Sequence, residues 1–101
     1  MKELLQMHER VKEEFADAKM YGEKAIHCKE MGNMADSSKY LEMSKQELGH
    51  AKDLHEMMLE KVKTNKGYYS STPAIMDAWD VMDKYYMEEM AHVKMMLKDN
   101  M

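Results

Sequence analysis

Only two places in this chain of 101 residues can readily end a helix. The first is Met31-Gly32-Asn33, where glycine can take the left-handed conformation that closes a helix C-terminus. The second runs from about Thr64 to Thr72. It contains Gly67 and the small polar run Ser70-Ser71-Thr72, and it is followed by Pro73, the only proline. Thr72 suits an N-cap, and Pro73 suits the first helical position after it. Between these breaks apolar residues recur with helical spacing, and no strand signal occurs. The expectation is an all-α chain forming one domain over 1–101, with three helices at about 2–31, 34–63 and 73–98.

The apolar stripe of the first helix reads Leu4, Met7, Val11, Ala18, Tyr21, Ala25 and Cys28. The position missing from its rhythm is Glu14. A carboxylate in the middle of a core stripe is costly unless it is paired or bound to metal. The second helix repeats the device, with Glu47 and His50 at the centre of a seam formed by Tyr40, Met43, Leu54 and Met57. In the third helix Ile75, Met82, Tyr86, Val93 and Met96 define a face, and Glu89 and His92 lie in or beside it. Small residues flank these positions: Ala18, Gly22, Gly49, Ala51 and Ala91 would let helices approach closely. Gly49 falls between Glu47 and His50, and a glycine inside a helix calls for a packing reason.

Glu47 with His50, and Glu89 with His92, are two copies of one pattern, Glu-x-x-His. Residues three apart share a helix face, so each copy can offer a carboxylate and an imidazole to the same ion. Such donors suit iron and manganese, with carboxylates supplying charge and bridging two ions. Di-metal carboxylate bundles use one Glu from each of two helices and a Glu-x-x-His pair from each of two others. The candidate ligands are therefore Glu14, Glu47, His50, Glu89 and His92.

The stretch Glu14-Phe15-Ala16-Asp17-Ala18-Lys19-Met20-Tyr21, then Ala25, Gly32 and Ala35, then Glu47-x-x-His50-Ala51, resembles the first helix pair of rubrerythrins and other ferritin-like proteins. The resemblance implies Glu14 as a terminal ligand, Glu47 as a bridging ligand and His50 as a terminal nitrogen ligand. It covers about residues 10–58. A full ferritin-like subunit has four long helices and a second lone Glu, whereas this chain has room for three. Within one chain the set is one carboxylate short, and Asp83 or Glu88 are the available substitutes. Two copies of the first helix pair would instead supply two each of Glu14, Glu47 and His50, with a two-fold axis through the metal pair. That arrangement resembles the short encapsulated ferritins. It makes a homodimer or larger homo-oligomer the expected partner, completing a ferritin-like four-helix bundle. Glu89 and His92 would then form a second site, an interface salt-bridge cluster, or no special site at all. An encapsulating shell protein is a secondary expectation, since no targeting peptide is recognisable in Leu97-Lys98-Asp99-Asn100-Met101.

What the resemblance implies is a di-iron protein that oxidises iron(II) for storage or detoxification, with manganese as the other candidate metal. No Cys-x-x-Cys pair is present, so the rubredoxin-like electron-transfer module of rubrerythrins is missing. Two other classes remain open: a non-catalytic helical interaction module with a buried polar network, and a Met/His metal protein selective for copper(I). The fifteen methionines invite the latter, but filling irregular gaps in a helical core is their simpler use. Tyr21 and Tyr40 are candidates either to hydrogen-bond ligand carboxylates or simply to pack. Trp79 is expected to anchor the third helix or an interface, Cys28 to be a small core residue, and His8, His27 and His55 to be exposed or partly buried helix residues outside any metal site. A net charge of −4 with interleaved Lys and Glu argues against nucleic acid. No apolar run is long enough for a membrane span and no signal-peptide pattern opens the chain, so a cytoplasmic location, or one inside a protein nanocompartment, is expected.

Overall fold

A computed structural model gives the fold of residues 1–64 and 73–100, apart from the side chains of Thr64 and Ile75. It contains three α-helices: α1 Lys2–Glu30, α2 Met34–Thr64 and α3 Pro73–Asn100. No strand occurs among the described residues, and no helix of theirs is long and apolar enough to cross a membrane. The expected break through Gly67, the Thr72 cap and the side chain of Ile75 lie outside the described residues.

The corner between α1 and α2 is built by backbone chemistry at the predicted glycine. Gly32 has φ of 81°, in the left-handed region. This lets its N–H donate to the Lys29 carbonyl at 3.0 Å, and the Asn33 N–H donate to the Cys28 carbonyl at 2.8 Å, so two carbonyls orphaned at the helix end are satisfied. Asn33 then starts α2. Its Oδ1 accepts from the Asp36 N–H at 3.1 Å, and its Nδ2 donates to the Asp36 carboxylate at 2.8 Å.

α1 and α2 pack antiparallel along a seam that uses small residues. Ala18, Ala25 and Ala51 are fully buried. Two buried serines of α2 donate to carbonyls of α1, Ser37 to Ala25 and Ser44 to Ala18, each at 2.7 Å. Buried hydroxyls of this kind cost little because they are satisfied. The serines and Ala51 draw Leu48, His55, Met58 and Val62 onto the core face of α2. The expected seam of Tyr40, Met43, Leu54 and Met57 is therefore rotated off the core: the first three are half-buried and Met57 is 53% exposed. On α1 the stripe holds at Leu4, Val11, Ala18 and Ala25, with Phe15 and Gly22 added, while Met7, Tyr21 and Cys28 are only half-buried.

α3 runs in the same direction as α1, because contacts between them rise together in number. Tyr85 meets His8 and Phe15 edge-on, Lys19 pairs with Glu89, and Lys29 reaches the Asn100 carbonyl. Gly22 permits this approach: a Cβ there would lie 2.6 Å from Met96 Cε and 3.0 Å from Leu97 Cδ2. Trp79, Met82, Tyr86, Val93 and Leu97 are the buried face of α3, and Trp79 is an anchor as expected. It lies against His55, which is buried rather than at the surface. The His55 ring stacks on Tyr86 at 3.8 Å and on Trp79 at 5.1 Å, with its Nε2 2.8 Å from Asp83 Oδ1. The methionines are mostly not core: Met58 and Met82 are buried, but Met20, Met31, Met34, Met57, Met76, Met87 and Met95 are exposed. The result is a rod of 55 × 17 × 16 Å.

Two stability measurements test this account. Gly32→Ala places a Cβ in the left-handed region, and urea unfolding should show a loss of about 1 kcal/mol. His55→Ala removes the ring between Trp79 and Tyr86. It should cost about 3 kcal/mol, and the emission of the sole tryptophan should shift to the red as α3 loosens.

Candidate metal centre

The α1–α2 pairing brings Glu14, Glu47 and His50 together. One donor atom from each lies within 4.8 Å of the others, and among the described residues this is the only His/Cys/Asp/Glu group of three or more so arranged. His50 Nδ1 is 3.6 Å from Glu14 Oε2 and 3.7 Å from Glu47 Oε2. The three side chains grade from inside to outside. Glu14 is buried at 6% exposure, Glu47 stands at 20%, and His50 at 60%.

Their placement follows from helix phase. Glu14 continues the row that carries Tyr21 and Cys28 on α1, and Glu47 and His50 lie on the row with Tyr40, Met43 and Leu54 on α2. α3 packs on another row of α1, through His8, Phe15, Lys19 and Gly22. The three donors consequently occupy a face of the helix pair that α3 leaves open. The same rotation that moved Tyr40, Met43, Leu54 and Met57 off the core made this face.

The charges explain how a buried carboxylate is tolerated. Arg10 Nε donates to Glu14 Oε1 at 3.0 Å from the preceding turn. Burial alone would push Glu14 up. A hydrogen bond from Glu47, the Arg10 guanidinium and His50 outweigh it and hold Glu14 below the ordinary carboxylate value. Glu47 moves the other way. Its hydrogen bond to Glu14, then its burial and the Glu14 charge, push it above the ordinary value. The two carboxyls are therefore pushed apart: Glu14 is the more acidic of the pair and Glu47 the less.

Two carboxylates and one imidazole, on a face with apolar flanks, could hold a metal ion. Three donors from one chain leave such an ion's coordination unfinished. The rest does not come from α3. Glu89 is tied to Lys19, and His92 Nδ1 is 3.9 Å from Glu89 Oε2, so this second Glu-x-x-His pair sits on the α1–α3 seam outside the cluster. The two substitutes considered for a single-chain site are also engaged elsewhere, Asp83 with His55 and Glu88 with Lys84. Tyr21 and Tyr40 stack on each other at 6.3 Å, with the Lys24 ammonium 5.6 Å from the Tyr40 ring. Among the described residues neither hydroxyl bonds to Glu14 or Glu47, so of the two expected uses it is packing that the rings serve. Arg10 is the residue that hydrogen-bonds Glu14. The sequence carries its signal, since Arg10 and Glu14 are four apart on one helix.

The chain matches no family model, no curated protein and no solved structure.

The opposed shifts of Glu14 and Glu47 predict a pH dependence for the metal-free protein. Glu47 holds its proton to higher pH in the folded chain than in the unfolded one. Stability therefore falls as pH rises from 4.5, its ordinary value, through the raised folded value. Glu14 acts oppositely, and its contribution is lost only as pH falls through its lowered folded value. Glu47→Gln keeps a donor to Glu14 without a titrating proton. Urea unfolding in chelator across this range should show the alkaline-side loss in the parent and its absence in the variant.

Proposed function

We propose that this chain is a ferritin-like, non-haem di-iron protein that oxidises iron(II) at a site shared by two copies. One observation carries the reading: a buried Glu14 meets Glu47 and His50 on a face left open by the rest of the chain. A second copy related by a two-fold axis would bring the same three residues, giving four carboxylates and two imidazoles around two ions. The four carboxylates balance the charge of two iron(II) ions. The half-buried Tyr21, Tyr40, Met43 and Leu54, with the exposed Met57, would be covered by the same contact, completing a four-helix bundle.

The residues have definite tasks in this reading. Glu47 turns from a partner of Glu14 into a metal ligand. Arg10 releases Glu14, at little cost because its side chain is 63% exposed. His50 supplies nitrogen from the solvent side, where ions and oxidant arrive. Iron is the substrate: two iron(II) ions lose one electron each, and hydrogen peroxide takes both with two protons to leave as two waters, or oxygen takes them to leave as peroxide. A cytoplasmic setting supplies iron(II) and belongs to this reading, as does storage or detoxification as its purpose.

The test is metal stoichiometry together with oxidation rate. Iron(II) added under air should bind at one ion per chain, disappear faster than in buffer alone, and leave the near-ultraviolet absorbance of oxo-bridged iron(III). Glu14→Ala and Glu47→Ala should each slow the oxidation by more than about tenfold, since even residues that only support a ligand are worth about that much. Glu89→Ala should leave stoichiometry unchanged. No bound iron and no change in rate would mark an interaction module instead. Competition by copper(I) that survives loss of Glu14 would mark a thioether site.

A further inference from the structure

Arg10 divides its guanidinium between two carboxylates in opposite environments. Its Nε donates to Glu14 Oε1 at 3.0 Å, and its Nη1 lies 3.5 Å from Glu13 Oε2. The Glu14 side chain is buried, whereas that of Glu13 stands in solvent at 66% exposure. Positions three and four residues on are both neighbours of Arg10 on the helix surface, so one guanidinium reaches either carboxylate without a change of backbone.

The buried partner decides where Arg10 rests. A carboxylate inside the α1–α2 seam needs a counter-charge far more than one in water does. While no ion is bound, Arg10 supplies it to Glu14. Once Glu14 serves as a ligand, the ion supplies it instead, and the guanidinium becomes a like charge beside a cation. Glu13 is then the carboxylate left for it, already in contact and on the solvent side.

We infer, on the basis of the metal centre proposed above, that Arg10 is a resident competitor of the ion: it holds Glu14 while no ion is bound, passes to Glu13 when Glu14 becomes a ligand, and by its return weakens the hold of the site on its ion. Arg10 acts through Glu14 and is in that sense a positioning residue. The seam keeps a compensated carboxylate between one ion and the next. The affinity is also lower than the three donors alone would give, which suits an ion that is substrate and has to leave.

Equilibrium dialysis of the full chain against manganese(II) under argon, at about 0.15 M salt, tests this together with thermal melts in chelator. Arg10→Met keeps the apolar stem and removes the charge. It should lower the melting temperature in chelator by about 5 °C, because Glu14 loses its partner, yet tighten manganese(II) binding by about fivefold. Lys12→Met makes the same change of charge on the other side of the helix, where Lys12 pairs with Glu9. It should alter binding by no more than about twofold at this salt. Glu13→Gln should weaken binding by about threefold in the parent and have no effect in Arg10→Met, since Glu13 matters only as the place Arg10 goes. Glu13 is exposed, so this variant reads the inference even where Arg10→Met folds poorly, and Glu9→Gln is its control. Weaker binding by Arg10→Met would make Arg10 a clamp that prepares Glu14 for the ion, and would overturn the inference. So would equal effects of Arg10→Met and Lys12→Met, equal effects of Glu13→Gln and Glu9→Gln, or a Glu13→Gln loss that persists without Arg10. Each of these leaves the metal centre standing if Glu14→Ala abolishes binding. A parent that binds neither manganese(II) nor iron(II) would instead remove the metal centre, and the role of Arg10 with it.

Discussion

The arrangement turns on one carboxylate placed where a hydrophobic side chain would ordinarily go. Glu14 sits in the α1–α2 seam between Val11 and Ala18, which are fully buried. An unpaired charge there would cost several kcal/mol. The surroundings answer that cost from three sides: Arg10 from the turn before, the Glu47 carboxyl across the seam, and the His50 ring at the rim. None of these is a permanent neutraliser. Arg10 is largely solvated, so its pairing with Glu14 is only loosely held. The fold holds an anion ready and satisfies it by means that are easily displaced.

The helices were legible because their ends are marked by residues with few alternatives. Gly32 reads as a terminator in the sequence and is one in space, through its left-handed φ. Glu14 was legible because it breaks a rhythm that Leu4, Val11, Ala18 and Ala25 otherwise keep. The core face of α2 was not. Ser37 and Ser44 look like surface residues, yet each finds a carbonyl of α1, and this turns the helix so that Tyr40, Met43 and Leu54 lie at the side. His55 misleads in the same way, because two stacked rings and Asp83 come from another helix. The second Glu-x-x-His pair shows the limit of local spacing. Glu89 and His92 are neighbours, as the motif requires, but what stands across from them is Lys19.

The side of α2 that faces α1 is filled, and its two flanks are unlike. One carries the acidic donors with Tyr40 and Met43, and the other carries Leu41, Lys45, Leu48 and Gly49. A slender rod has little interior of its own, and association is the ordinary remedy for a small domain with so much surface.

All three donors belong to α1 and α2, which a three-residue corner at 31–33 joins. The last of them, His50, is translated well before Pro73 opens α3. Growing from its N-terminus, the nascent polypeptide therefore carries all of Glu14, Glu47 and His50 while α3 is still inside the ribosome.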